Sequence, residues 1–135
     1  MAKEGGLGMS VAVDDAAGTP RTLSNDFSNL QWATPRGVQD TTGLDKSAIE
    51  RQLLLADFSV TLNAPAFDDA ANMSHSVFKT VTSTSVLRTV TIGISGQTLA
   101  CETLFTDYAL TRSATGEITF SAPGVLGDGT VPTWS

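Results

Sequence analysis

Along most of this chain apolar and polar residues alternate with the two-residue period of half-buried strands. Residues 7–14 put Leu7, Met9, Val11 and Val13 on one face and Gly8, Ser10, Ala12 and Asp14 on the other. The turn-forming run 15–20 ends that strand, and a second is predicted near 27–34, with Leu30 and Trp32 pointing one way. The clearest alternation spans 54–62: Leu54, Ala56, Phe58, Val60 and Leu62 share one face, while Leu55, Asp57, Ser59 and Thr61 share the other. Residues 86–95 align Val86, Arg88, Val90, Ile92 and Ile94 in one row. Strands over 98–105 and 107–113 follow, with a bend or bulge expected near Thr106 and Asp107. The run Ser113-Ala-Thr-Gly116 is a hairpin turn signal, returning into a strand over 117–122 with Ile118, Phe120 and Ala122 on one face. The tail from Gly124 carries a Gly127-Asp128-Gly129 turn and ends near Trp134, an apolar ring expected to dock against the body.

Two stretches depart from this period. Over 69–80, Met73, Val77 and Val81 recur every four residues beside Phe78, which predicts a helix closing one side of a β core. Asp68 or Asp69 would cap its start, and Lys79 has the favourable sign for its end. Residues 35–52 show neither period and read as a long loop. Ser47 and Glu50 have the spacing of a capping box and admit one short helical turn. A loop of that length in a compact domain is usually functional or ordered by a partner.

Six to eight strands, mostly antiparallel because their connections are short, and one helix follow from these readings. The fold expected is mainly β: an antiparallel β-sandwich or partly open barrel with one flanking α-helix, formed as a single domain over 1–135. A chain of 135 residues buries roughly 68–70% of its unfolded surface, so neither disulfide nor metal is needed.

Composition sharpens the picture. Charged residues make up 16% of the chain, against roughly 25% in an average soluble domain, with Ser and Thr filling the gap. A surface this short of charge is poorly protected against association, which points to an oligomer. The net charge of −6, with eight scattered Lys and Arg, argues against binding of free nucleic acid, although an acidic surface suits letting such a polymer slide past. One cysteine, Cys101, fits a reducing compartment and, alternating with Leu99 and Phe105, reads as a small buried hydrophobe. No apolar run approaches a membrane span, and no apolar segment follows the charged N-terminus as in a signal peptide.

Chemistry finds no foothold. His75 is the sole imidazole; its neighbours Ser74 and Ser76 do not face it on a helix, and no second His or Cys exists to build a zinc site. Asp14-Asp15 and Asp68-Asp69 are adjacent pairs, explained as turn and helix cap. Gly127-Asp128-Gly129-Thr130 lacks the Lys of a P-loop. Trp32, Tyr108 and Trp134 are the residues from which an aromatic sugar-binding platform would be built, with core or interface packing the plainer reading. No catalytic residue, cofactor or metal site is expected.

The order of several segments resembles the tail tube (major tail) protein of long-tailed bacteriophages, particularly the short form seen in phages of actinobacteria. The residues concerned are Thr34-Pro-Arg-Gly-Val-Gln-Asp-Thr-Thr-Gly-Leu-Asp-Lys-Ser-Ala-Ile-Glu-Arg51, Leu55-Ala-Asp-Phe-Ser-Val-Thr-Leu-Asn63, His75-Ser-Val-Phe-Lys-Thr-Val81, Arg88-Thr-Val-Thr-Ile92, Leu104-Phe-Thr-Asp-Tyr108 and Phe120-Ser-Ala-Pro-Gly124. The resemblance implies a β-sandwich with a flanking helix, forming hexameric rings that stack into a virion tail tube assembled in the host cytoplasm. It further implies tape-measure, tail-tip and terminator partners, DNA passing through the lumen without specific binding, and no membrane. Ring closure would pair the open sheet edges, which are otherwise a liability. Loop 35–52 would order against an adjacent subunit or ring. Leu44, Ile49 and Leu53 would anchor it there, and Arg36, Lys46 and Arg51 would meet acidic partners. Asp57, with Glu102 and Asp107 behind it, is the candidate for a lumen lining that repels phosphate. The alternatives are another virion component, such as a capsid decoration or tail-terminator protein, and a sugar-binding β-sandwich module.

Overall fold

The computed structural model describes Lys3 and residues 5–135. Its elements are strands β1 (Ser10–Asp14), β2 (Pro20–Thr22), β3 (Asn29–Ala33), β4 (Arg36–Asp40), β5 (Arg51–Ala56) and β6 (Ser59–Ala64), helix α1 (Ser74–Phe78), and strands β7 (Arg88–Ile94), β8 (Gln97–Phe105), β9 (Ala109–Arg112) and β10 (Ile118–Leu126). Eight strands form one antiparallel sheet in the order β2-β1-β7-β8-β10-β6-β3, with β9 on the free half of β10. Strands β4 and β5 pair only with each other.

The sheet curls because two long strands each serve two neighbours in succession. β8 pairs with β7 over Gln97–Thr103 and with β10 over Thr103–Phe105, while β10 pairs with β9 over Ile118–Ser121 and with β8 from Gly124 onward. At that junction a Cβ on residue 124 would lie 2.6 Å from Thr103 Cγ2 and 3.2 Å from the Phe105 ring, so glycine is what lets the strands approach. The curl ends with β2 and β3 as separate borders, so the sheet is an open barrel.

Its inner face carries Val11, Val13, Val60, Leu62, Val90, Ile92, Leu99, Cys101, Phe120 and Ala122, all buried. α1 lays Val77 and Phe78 across it, and the Phe78 ring meets those of Phe105, Tyr108 and Phe120 at centroid distances of 5.1, 5.8 and 6.2 Å. Arg88 is also buried in this row. Its guanidinium donates to Asp14 O at 3.2 Å and Thr80 Oγ1 at 2.9 Å, and burial pulls its pKa below the ordinary arginine value.

Several sequence expectations change. The loop 35–52 is a β-hairpin, β4–β5, and residues 47–50 form no helical turn. The strand expected over 54–62 is broken at Asp57-Phe58. Phe58, Val60 and Leu62 point into the core as expected, but Leu54 belongs to the hairpin and is exposed. Leu7 lies outside β1 and is exposed. The helix spans five residues, not twelve, and neither Asp68 nor Asp69 is its cap: Met73 holds the N-cap position without a side-chain bond. The missing acceptor comes from Asp26, whose Oδ2 takes the Ser74 N–H at 3.0 Å across the fold. Asp68 instead bends its own segment, accepting Ala70 N–H at 3.0 Å. Trp134 does dock, bridging Leu99 of β8 and lying 6.5 Å from the Trp32 ring, and Cys101 is buried.

Candidate assembly surface

The hairpin β4–β5 is well bonded along its backbone, but no other part of the described residues covers it. Val38 faces Leu53, Gln39 faces Gln52 and Asp40 faces Arg51, with a bulge between Arg36 and Val38. Arg36 Nε donates to Leu54 O at 2.9 Å, bracing the bulge. At the tip Thr42 Oγ1 donates to Asp40 Oδ1 at 2.6 Å and accepts Glu50 N–H at 2.8 Å. Thr42 donates to the Asp40 carboxylate through both its hydroxyl and its N–H, which holds that carboxyl below its usual pKa. Lys46 Nζ and Glu50 Oε1 form an exposed ion pair at 3.4 Å, a contact worth at most about 0.5 kcal/mol. At the base Asp57 N–H donates to Pro35 O at 2.9 Å, tying the two legs together.

Every residue of β4 and β5 except Ala56 is exposed. Leu55 is 90% exposed, Leu44 and Ile49 stand out at the tip, and Val38, Leu53 and Leu54 are open to solvent. A two-stranded hairpin in water is marginal by itself, and three consecutive leucines on such an arm are an error unless something covers them.

All six residues assigned to a contact segment, Arg36, Leu44, Lys46, Ile49, Arg51 and Leu53, lie on this arm. The three carboxylates assigned to a lumen lie on the body, on segments that bond to the stretch Pro123–Gly127 at the end of β10. Asp57 precedes Phe58, whose carbonyl accepts Leu126 N–H; Glu102 O accepts Gly127 N–H; and Thr106, before Asp107, donates to Pro123 O. Glu102 also accepts a hydrogen bond from Thr89 Oγ1, and Asp107 Oδ1 accepts Tyr108 N–H at 2.8 Å. Sequence reasoning missed Leu55 and Val38 on the arm, and Leu87, Leu104 and Val125 on the body, all exposed. The unbroken triplet Leu53-Leu54-Leu55 was the available signal.

His75 Nδ1 lies 3.1 Å from Tyr108 Oη, its ring packs 4.6 Å from Phe67, and Ser76 Oγ donates to Met73 O rather than to the imidazole. Burial raises the pKa of Cys101 and Tyr108, away from reactive anions. Trp32 and Trp134 meet, but Tyr108 sits in the separate Phe78 cluster, so the three rings make no common platform. A cleft of about 350 Å³ between β1 and β3 is lined by Met9, Val11, Phe27 and Leu30 with Ser24, Ser28 and Asn29, and by no titratable group. Among the described residues no three His, Cys, Asp or Glu come together to hold a metal, and no helix is long and apolar enough to cross a membrane.

Neither a scan of protein-family models nor a search of curated proteins gives a match. Solved structures do. A chain in the virion of a native gene transfer agent particle superposes with a TM-score of 0.77 at 13% identity, covering 98% of this chain and 99% of that one. A chain in the tail of an empty gene transfer agent particle, refined with C6 symmetry, gives 0.76 at 16% identity over 98% and 99%. A chain in the six-fold symmetrised baseplate of an anti-feeding prophage gives 0.64 at 8% identity over 100% and 97%. At such identities the likeness is one of fold: mostly β, with antiparallel sheets that do not close and one short helix, this chain has the tail-tube-like fold of these particle chains.

Proposed function

We propose that this chain is a non-enzymatic structural subunit of a phage-type tail tube. Its copies close into six-fold rings, the rings stack, and DNA passes through the lumen. The observation that carries the reading is the β4–β5 arm: an ordered hairpin with an apolar surface that its own chain leaves bare. The borders at β2 and β3 add two strand edges without a partner in the chain. The particle chains that share this fold come from a tail refined with C6 symmetry and from a six-fold baseplate, which supports the proposed ring.

In this reading the subunit belongs to the virion tail, is assembled in the host cytoplasm, and meets tape-measure, tip and terminator proteins at the tube ends. Arg36, Leu44, Lys46, Ile49, Arg51 and Leu53 make the contact to a neighbour. Asp57 turns its carboxylate toward the passage, where like charge keeps phosphate from adhering. The single domain over 1–135 is then one building block with one extended limb.

Negative-stain microscopy of the purified chain tests this. Rings or short tubes are expected from the unaltered protein, and Leu44→Asp and Ile49→Asp are expected to abolish stacking while leaving the far-UV circular dichroism of a β protein unchanged. A strict monomer at high concentration, with tail-tip components present, would overturn the proposal.

A further inference from the structure

The body carries its own uncovered apolar patch, away from the arm. Val125 of β10 is paired in register with Leu104 of β8, so the two side chains share the outer face of the sheet. Leu87, just before β7, joins them across Gly127: a Cβ on residue 127 would lie 2.3 Å from Leu87 Cδ2 and 2.9 Å from Leu104 Cγ. Leu87, Leu104 and Val125 are 39%, 40% and 42% exposed, with Gly127 as the floor between them.

The charge around this patch has one sign. Glu102 lies two residues before Leu104 on the same face of β8, Asp107 follows the end of β8, and Asp128 adjoins Gly127. The arm is the opposite case. It balances Arg36, Lys46 and Arg51 against Asp40, Asp45 and Glu50, so the entire net charge of −6 resides on the rest of the chain. Arg36 and Arg51, which form no ion pair among the described residues, bracket the exposed leucines of β5. One chain thus holds an apolar ridge flanked by arginines and an apolar patch flanked by carboxylates.

Resting on the tube reading above, we propose that the Leu87–Leu104–Val125 patch is the seat for the arm of a second copy, with Leu53 and Leu55 covering Gly127 and Arg36 and Arg51 facing Glu102, Asp107 and Asp128. The ridge and the patch are different surfaces, so the contact is heterologous: each copy gives an arm and receives one, and the chain of contacts either closes or propagates. Oppositely charged flanks fix register and partner more than affinity.

Two variants test the pairing. Leu55→Asp breaks the ridge and leaves the patch; Leu104→Asp breaks the patch and leaves the ridge. Each is expected to fold, since both positions face solvent, and to sediment as a monomer, association falling by at least about a hundredfold because a charge is buried without a partner. Mixed in equal amounts, they should form a dimer and stop there, because one intact arm still meets one intact patch. Val125→Asp should replace Leu104→Asp in this experiment with the same result, which guards against a folding defect at either site. If Leu104→Asp and Val125→Asp assemble like the unaltered chain, or if the mixture stays monomeric, the patch is not the seat, while rings from the unaltered chain would leave the tube reading standing. If the unaltered chain never assembles, both fall.

Discussion

The body and the arm of this protein are made of the same kind of residue and treat it in opposite ways. In β6, Val60 and Leu62 are sealed beneath α1 and the curled sheet; in β5, Leu53, Leu54 and Leu55 stand in water. Both are β-strands with complete ladders on one side. The difference is that β6 has strands on both edges and a core beneath it, whereas the β4–β5 arm has neither. The body is stabilised by burial within one chain; the arm has backbone order but little burial of its own, and in the proposed assembly a second copy supplies it. A fold so divided separates stability from assembly, and substitutions in the two regions should separate them as well.

The largest expected effect lies in the body. Phe78→Ala removes the ring on which Phe27, Phe105, Tyr108 and Phe120 converge and should cost about 3–5 kcal/mol of folding stability, read by urea denaturation in an assembly-blocked background such as Leu55→Asp.

A smaller effect is expected at Asp26, 7% exposed. Asp26→Ala leaves the buried Ser74 N–H without its acceptor and should cost about 1–3 kcal/mol. Asp26→Asn keeps an acceptor and removes the charge, and here pH decides the outcome. Burial raises the Asp26 pKa above 3.8 and the nearby Asp68 raises it further, outweighing the hydrogen bond from the Ser74 N–H. A carboxyl whose folded pKa is raised contributes stability that is full below its unfolded pKa and is lost as pH rises through the folded value. The Asn variant should therefore gain on the unaltered chain between pH 4 and pH 7, in melting temperature measured with the Asp68 segment intact. A difference that stays constant over that range would show that the two carboxyls do not share the burden described.

The smallest folding effects belong to the arm. Leu55→Ser and Lys46→Ala should each change unfolding free energy by less than about 0.5 kcal/mol, while Leu55→Ser, in this account, removes assembly. A large loss of stability from Leu55→Ser would mean that the body leans on the arm, and the division drawn above would fail.

How much of this could be read from the sequence follows the same division. Where one face of a strand is buried, the alternation is legible: Val11 and Val13, Val90 and Ile92, and Phe120 and Ala122 all point as their period says. Arg88 shares the row of Val90 and is buried with it, because Asp14 O and Thr80 Oγ1 receive its guanidinium. The hairpin was illegible because neither face of it is buried, so no period marks it. Arg36-Gly37-Val38-Gln39-Asp40 has one apolar residue among five. The helix is shorter than its pattern and its local capping residues predict. Its real acceptor, Asp26, is distant in sequence and visible only in three dimensions. The arm residues proposed as contacts rest on a resemblance, and the exposed patch at Leu104 and Val125 carries no signal in the sequence, because a residue at the end of an alternating strand does not announce whether its outer face is wet or covered.

Hydrogen exchange read by mass spectrometry tests the central claim most directly, with peptides from 36–56 followed beside peptides from β6 and β7. In the dilute monomer the arm amides should exchange far faster than those of the body, and in the assembled protein they should slow by orders of magnitude while the body peptides barely change. An arm that exchanges equally fast in both states would contradict the account, for then nothing covers it and its leucines have no partner.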